Sequence, residues 1–319
     1  MGSLPKDRVT SCRAFQNIGL DYCGPFNIKI STLRNAITAK GYVVVFVCMA
    51  TKAVHMEVVC DLTSDAFLAA FKRFISRRGL PSTIYCDNAS TFKGANNQLK
   101  ALYHLQNSSS FQDKFQNFLS TKGITFKFIP AYSPNHAGLV EAAVKSAKYH
   151  LRRVAGTKNY TFEQFTTIIY QIESILNSRP LLPLSQDATD YSYLSPGHFL
   201  IGTSLTSFPE ANLENIPSSR LRLWRSCEQV RQHFWRAWSN EYLGTLNNRT
   251  KWMKEYPNLK EGMLVLMKQQ NASPLYWPTG RISKVYTGTD SKVRVVQIRT
   301  SDGKFHDRAI SKVVVLPIE

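Results

Sequence analysis

The 319-residue chain has no apolar run near the roughly 18–20 residues that a membrane-spanning helix needs. Its start, MGSLPKDRVT, has no apolar core of the signal-peptide kind, and Lys6 stands where a myristoylation motif requires Ser or Thr. No membrane partner is therefore expected. None of the six cysteines (Cys12, Cys23, Cys48, Cys60, Cys86 and Cys227) lies in a C-x-x-C pair, and no His/Cys cluster has zinc-ligand spacing. That excludes a disulfide scaffold and leaves no zinc expected in this chain. Several of the cysteines sit in strand-like apolar runs, which reads as buried, reduced thiols. Acidic side chains are scarce: 22 Asp and Glu stand against 40 Lys and Arg, a net charge of +18. The excess forms no tail. Residues 1–209 hold 22 basic and 12 acidic side chains, and residues 210–319 hold 18 and 10. A large, dispersed positive charge points to a polyanionic partner, with nucleic acid first.

The hydrophobic fraction, 43%, is enough for a sizeable core. Residues 15–59 read as three strands. The first carries Phe15, Ile18, Leu20 and Tyr22 up to a turn at Gly24-Pro25. Tyr42–Met49 is a continuous Val-rich run that reads as a buried central strand, and Ala53–Val59 follows. A helix starts at Thr63-Ser64, repeats Phe67, Leu68, Phe71, Phe74 and Ile75, and stops at Gly79 and Pro81. Thr83–Cys86 is a short strand ending at Asp87. Residues 95–121 read as helical with a polar break, Ile124–Ile129 as a strand, and His136–Val154 and Phe162–Leu176 as helices. The expected fold is α/β, a mixed sheet flanked by helices. Its domains are a lead-in over residues 1–14, a core over 15–180, an irregular strap and helical linker over 181–255, and a small all-β barrel over 256–319 built from Met263–Met267, Thr279–Val285, Val293–Arg299 and Ser311–Leu316. The tryptophans between 224 and 252 read as packing or subunit-contact residues.

Three acidic residues stand out by position. Asp21 lies inside the first strand, Asp87 at the end of a strand, and Glu141 one turn into a helix between apolar neighbours. An ionised group in such surroundings needs compensation. Carboxylates clustered around Mg²⁺ provide it, and two such ions support in-line phosphoryl displacement. Each residue also has a plainer reading. Asp87 before Asn88 fits a turn, and Glu141 alone fits a solvated helix face. Asp61 and Asp65 read as helix-start residues, and Glu57 as a strand-face residue.

Three segments carry a family resemblance: Gly19-Leu20-Asp21-Tyr22-Cys23-Gly24-Pro25-Phe26, Cys86-Asp87-Asn88-Ala89-Ser90-Thr91-Phe92-Lys93-Gly94-Ala95, and His136-Ala137-Gly138-Leu139-Val140-Glu141-Ala142-Ala143-Val144-Lys145-Ser146. In these the chain resembles the integrases of retroviruses and long-terminal-repeat retrotransposons, most of all the Pao/BEL branch. The tail from Trp277-Pro278-Thr279-Gly280-Arg281-Ile282 to Leu316-Pro317 is similar to the C-terminal region of those elements. The resemblance implies an RNase H-like core followed by an SH3-like barrel, with Asp21, Asp87 and Glu141 as the catalytic, metal-binding triad for two Mg²⁺ (or Mn²⁺) ions. The zinc-binding region that usually precedes such a core is not in this sequence, and Leu4-Pro5-Lys6-Asp7-Arg8-Val9 matches the junction that follows it.

Glu141, Lys145 and Lys148 share one helix face by i, i+4, i+7 spacing, and Arg152 continues it. That row would lay phosphates over the metals, as the resemblance also implies. Asn88, Tyr132 and Asn135 are expected near the substrate, and Arg281, Lys284 and Arg294 on the barrel as nucleic-acid contacts. The expected activity is Mg²⁺-dependent processing of DNA 3′ ends and their joining to target DNA, by an endonuclease and strand transferase acting on double-stranded DNA. The expected setting is a homo-oligomer in the nucleus, with assembly in the cytoplasm and chromatin contact through the barrel. Two rival readings are a catalytically silent, host-retained DNA-binding protein and an RNase H-like nuclease.

Overall fold

A computed structural model describes residues 6–33, 35–87, 124–129, 134–155, 158–208, 210–246, 258–269 and 272–317. The chain divides into two compact units: Met1–Leu176 with Asn215–Arg231, and Asn177–Glu214 with Gln232–Glu319.

In the first unit a short helix α1 (Lys6–Val9) precedes strands β1 (Asn17–Lys29), β2 (Thr38–Cys48) and β3 (Val54–Val59), helix α2 (Ser64–Arg78), and strands β4 (Thr83–Asp87) and β5 (Thr125–Ile129). Helix α3 (Pro134–Ala155), a two-residue strand β6 (Tyr160–Thr161) and helix α4 (Phe162–Ser178) follow. The sheet order is β3-β2-β1-β4-β5, with β6 beside the end of β1. The first three strands are antiparallel, while β4 and β5 run parallel to β1. This is the expected mixed sheet flanked by helices. The middle position belongs to β1, however, and not to the Val-rich β2, which lies one strand over.

The pleat explains the division of faces. Leu20 pairs with Phe46, and Phe46 stacks on Phe74 of α2 at 4.4 Å, so α2 covers that face. Asp21 and its partner Val45 point to the other face, where α3 packs. Covering on both sides is why β2 from Gly41 to Cys48 is uniformly buried rather than alternating. Helix α2 buries Phe67, Ala70, Phe71 and Phe74 on one stripe. It starts as expected: Thr63 Oγ1 accepts the Ala66 N–H at 3.1 Å, and Asp61 in turn accepts from the Thr63 hydroxyl. At its other end Arg13 donates to the carbonyls of Arg78 at 2.7 Å and Leu80 at 2.6 Å, satisfying groups the helix leaves open. Four cysteines are buried as expected; Cys60 is exposed and Cys12 half-buried. The helix expected over 95–121 lies outside the described residues.

A buried ionic network was not visible in the sequence. Glu57, expected on a strand face, is buried and meets His55 at 3.1 Å, Arg73 at 2.8 Å and Arg77 at 3.1 Å. Glu173 of α4 reaches Arg78 at 2.7 Å and accepts the Met56 N–H at 2.8 Å. Burial pulls the His55 imidazole down, but the carboxylates of Glu173 and Glu57 reverse this and hold it above 6.5. Burial pushes Glu57 up, but hydrogen bonds from His55 and Arg73 outweigh it and hold the carboxyl below 4.5.

In the second unit a strap carries the hairpin β7 (Leu182–Pro183) and β8 (Tyr193–Leu194) and a one-turn helix α5 (His198–Ile201). Helix α6 (Leu223–Leu246) has its C-terminal part here. Strands β9 (Leu264–Met267), β10 (Thr279–Thr287), β11 (Val293–Arg299), β12 (Phe305–Ala309) and β13 (Val313–Val315) form an antiparallel sheet in the order β12-β11-β10-β9-β13. Leu259, Val265, Ile282, Val293, Val296, Ile298 and Val313 make its core. Strand β12 adds a fifth member to the four expected.

The signs of the two shifts fix a pH optimum. The stability from His55 is complete below its unfolded value and is lost as pH rises through its raised folded value. That from Glu57 is present above its unfolded value and is lost as pH falls through its lowered folded value. Thermal melting followed against pH should therefore peak at about pH 5–6.5. Glu57→Gln should flatten both limbs and destabilise the first unit by about 3 kcal/mol. A flat wild-type profile would contradict this account.

Candidate functional site

The site is built on β1. Its ladder with β4 pairs Asn17 with Thr83, Ile18 with Ile84, Gly19 with Tyr85 and Leu20 with Cys86. One step beyond that last pair, Asp21 and Asp87 stand level on adjacent strands. Level residues of a parallel pair share a face, with strands roughly 4.8 Å apart. Two acidic residues 66 positions apart in the chain are thus brought side by side by the sheet alone. Asp87 also pairs with Ile129 of β5.

Beyond Asp21, β1 changes register between Cys23 and Phe26. Gly24 sits there at φ +140°, and a Cβ on it would meet Tyr42 Cδ1 at 2.9 Å and the Gly41 carbonyl at 3.2 Å. Only glycine fits this bend, which interrupts the β1–β2 ladder just past the carboxylate before pairing resumes at Phe26 with Gly41.

Helix α3 carries Glu141, the third acid of the expected triad. Ala147, Leu151 and Ala155 form its buried stripe. Lys148 donates to Asp21 Oδ2, and Arg152 donates to the Gly24 carbonyl at 2.9 Å. These two contacts fix the helix along β1. Glu141 lies seven residues before Lys148, on the same helix face and about 10.5 Å along the axis toward the N-terminus. Asp21 Oδ1 accepts the Tyr22 N–H at 2.7 Å, and the Asp21 side chain is 24% exposed. A half-buried carboxylate thus has one oxygen fixed by the backbone and the other turned to a cation.

The expected site residues of this unit fall into four groups. Asp21, Lys148 and Arg152 meet at β1. Asp87 and Glu141 have their backbones placed by β4 and α3, and their side chains lie outside the described residues. So does the side chain of Asn135, which is in the first turn of α3 and not in the loop before it. Asn88 and Tyr132 lie outside the described residues altogether. Lys145 is exposed. The closeness of Lys148 to Asp21 was not foreseen; the sequence spacing showed a shared helix face but not what that face meets.

One further cluster lies on the side of the sheet that Asp21 faces. Tyr85, two residues before Asp87, donates its hydroxyl to Asp7 and accepts from Lys127 at 3.3 Å. Burial, and next its bond to Asp7, push the Tyr85 phenol up.

In the second unit the expected contacts differ in kind. Lys284 is exposed, with its ammonium 5.4 Å from the Tyr286 ring centroid. Arg294 is exposed and paired with Asp290 at 2.6 Å, and its hydrogen bonds pull the Asp290 carboxyl down to about 2. Arg281 departs from the expectation. It is buried, donating to the carbonyls of Asp190 and Gly262 at 2.7 Å and of Ser185 at 2.9 Å. Three carbonyls on the strap and the turn before β9 claim its guanidinium, so it braces this unit instead of facing a ligand. Trp235 and Trp277 pack edge to face at 4.7 Å, and their ring N–H groups are bonded to Ala272 and Ser178. A cleft of about 490 Å³ in this unit, lined in part by Arg236, Lys268, Tyr276 and Lys312, contains none of the triad.

Residues 222–316 match a family model described as a family of unknown function, DUF5641. No curated protein matches the chain. Among solved structures, the chain is similar to the simian T-cell lymphotropic virus intasome in complex with PP2A regulatory subunit B56 gamma. The identity is 13% and the TM-score 0.39, over 100% of this chain and 84% of that one. It is also similar to the catalytic core domain of BIV integrase, at 15% identity and a TM-score of 0.37, over 59% of this chain and 95% of that one. Likeness at this level assigns no residue a role.

Arg281→Ala should lower the unfolding free energy by about 2–3 kcal/mol by orphaning buried carbonyls. Lys284→Ala and Arg294→Ala should stay within about 0.5 kcal/mol of wild type. Urea denaturation of the three variants checks this, and equal effects would refute the bracing role.

Proposed function

We propose that the chain is an integrase-type polynucleotidyl transferase that processes DNA 3′ ends and joins them to target DNA. The observation that carries this reading is the β1–β4 ladder, which sets Asp21 level with Asp87 while α3, bearing Glu141, is fixed along the same strand. The donor set suits Mg²⁺ or Mn²⁺: all three side chains offer hard carboxylate oxygens, and Asp21 Oδ2 already faces a cation. Asp21, Asp87 and Glu141 would hold two such ions, which would supply activation of the attacking oxygen and stabilisation of the leaving one. The Tyr22 N–H orients the Asp21 carboxylate.

The cationic row of α3, Lys145, Lys148 and Arg152, grips the phosphates flanking the scissile bond, with Asn88, Tyr132 and Asn135 near the strand end. No covalent bond to the protein forms, because positioning and electrostatics suffice for this chemistry. Lys284 and Arg294 extend the contact with double-stranded DNA or chromatin. Joining two ends to one target requires more than one copy of the chain, and its place of work is the nucleus. The motif resemblance to Pao/BEL integrases supports this reading, as does the +18 charge.

Incubation of the protein with Mg²⁺ or Mn²⁺ and linear DNA ends should give joined products. Asp21→Asn, Asp87→Asn and Glu141→Gln should each lower the joining rate by about 10³-fold or more, the equivalent of several kcal/mol of charge stabilisation. Salt-sensitive DNA binding with no joining would favour a silent DNA-binding protein. Cleavage of an RNA–DNA hybrid without joining would favour a nuclease.

A further inference from the structure

A carboxylate inside a covered sheet must be neutralised or bound. Asp21 has one oxygen committed to the Tyr22 N–H at 2.7 Å and the other in contact with the Lys148 ammonium. Both side chains are largely shielded, 24% and 18% exposed. Four residues on, Arg152 is engaged with the Gly24 carbonyl. Two members of the row read as phosphate contacts are therefore turned onto β1. An ammonium and a divalent cation cannot share Asp21 Oδ2, since like charges that close repel in a shielded site. The lysine stem, four carbons long and flexible, lets the ammonium leave without moving the helix.

We propose that Lys148 is an exchangeable counter-ion. It neutralises Asp21 while no divalent ion is bound, and it is released to a DNA phosphate when such an ion takes Asp21. The inference rests on the metal site of the proposed function and adds a coupling to it. Metal binding frees a phosphate-binding cation, and phosphate binding removes a competitor of the metal. By linkage each ligand then raises the affinity of the other by the same factor. A lysine that only contacts phosphate would leave metal affinity without DNA unchanged.

The test is Mn²⁺ titration of the full chain by calorimetry without DNA, followed by duplex-DNA affinity with and without Mn²⁺. Lys148→Met keeps the stem and loses the charge. It should bind Mn²⁺ about five-fold more tightly than wild type, the scale of a partly exposed ion pair removed. Its DNA affinity should gain less from Mn²⁺ than that of wild type. Lys148→Gln should behave alike, Lys148→Arg should stay near wild type, and melting curves identify any variant that fails to fold. Unchanged or weaker Mn²⁺ binding in folded Lys148→Met and Lys148→Gln, with wild type binding Mn²⁺, overturns the inference and leaves the functional reading standing. A wild type that binds no Mn²⁺ overturns both.

Discussion

Asp21 is a charge placed in the middle strand of the sheet, and most of what surrounds it follows from holding that charge in place. A carboxylate at this position needs a donor from the backbone and a cation within reach. Tyr22 gives the first and Lys148 the second. The same strand aligns β4, so that Asp87 arrives level with Asp21. It also seats α3 through Arg152. The site is thus a property of one strand and its neighbours, assembled from segments far apart in the chain.

The unit meets the problem of buried charge twice, with opposite solutions. Glu57 and Glu173 lie on the side of the sheet covered by α2, where three arginines and His55 surround them. Each carboxylate there has several partners from separate elements, an arrangement that fixes register and leaves little room for exchange. Among the described residues Asp21 meets one lysine and one backbone N–H. A network with many partners suits a permanent part of the fold, and a flexible lysine suits a position that changes occupant.

Much of this was legible in the residues. Asp21 announced itself by interrupting an apolar strand, β2 by its unbroken Val run, and α2 by Thr63, its Phe spacing and Gly79. What escaped depends on distant partners. Arg281 reads as one more surface cation in a basic strand, because the carbonyls that bury it lie 91 and 96 residues earlier, on the strap. Glu57 reads as a strand-face residue until α2 and α4 bring their arginines and glutamate. Strand β12 carries the sequence Phe-His-Asp-Arg-Ala, with hardly a buried side chain. It has no alternation to detect, and its pairing with β11 is what makes it a strand. The middle place of β1 was hidden for a related reason: apolar content reports burial, while strand order is set by which ladders form.

Arg13 ties the segment before the first strand to the end of α2. Its guanidinium closes that helix end, and Gly79 beside it, at φ +83°, holds a conformation that L side chains rarely adopt. A proteolytic cut or a trimmed expression boundary after Arg13 would strip the helix terminus of its seal while sparing every residue of the sheet. The fragment that begins at Ala14 is therefore a frayed version of the unit, and the shortest one with an intact helix end starts at or before Arg13.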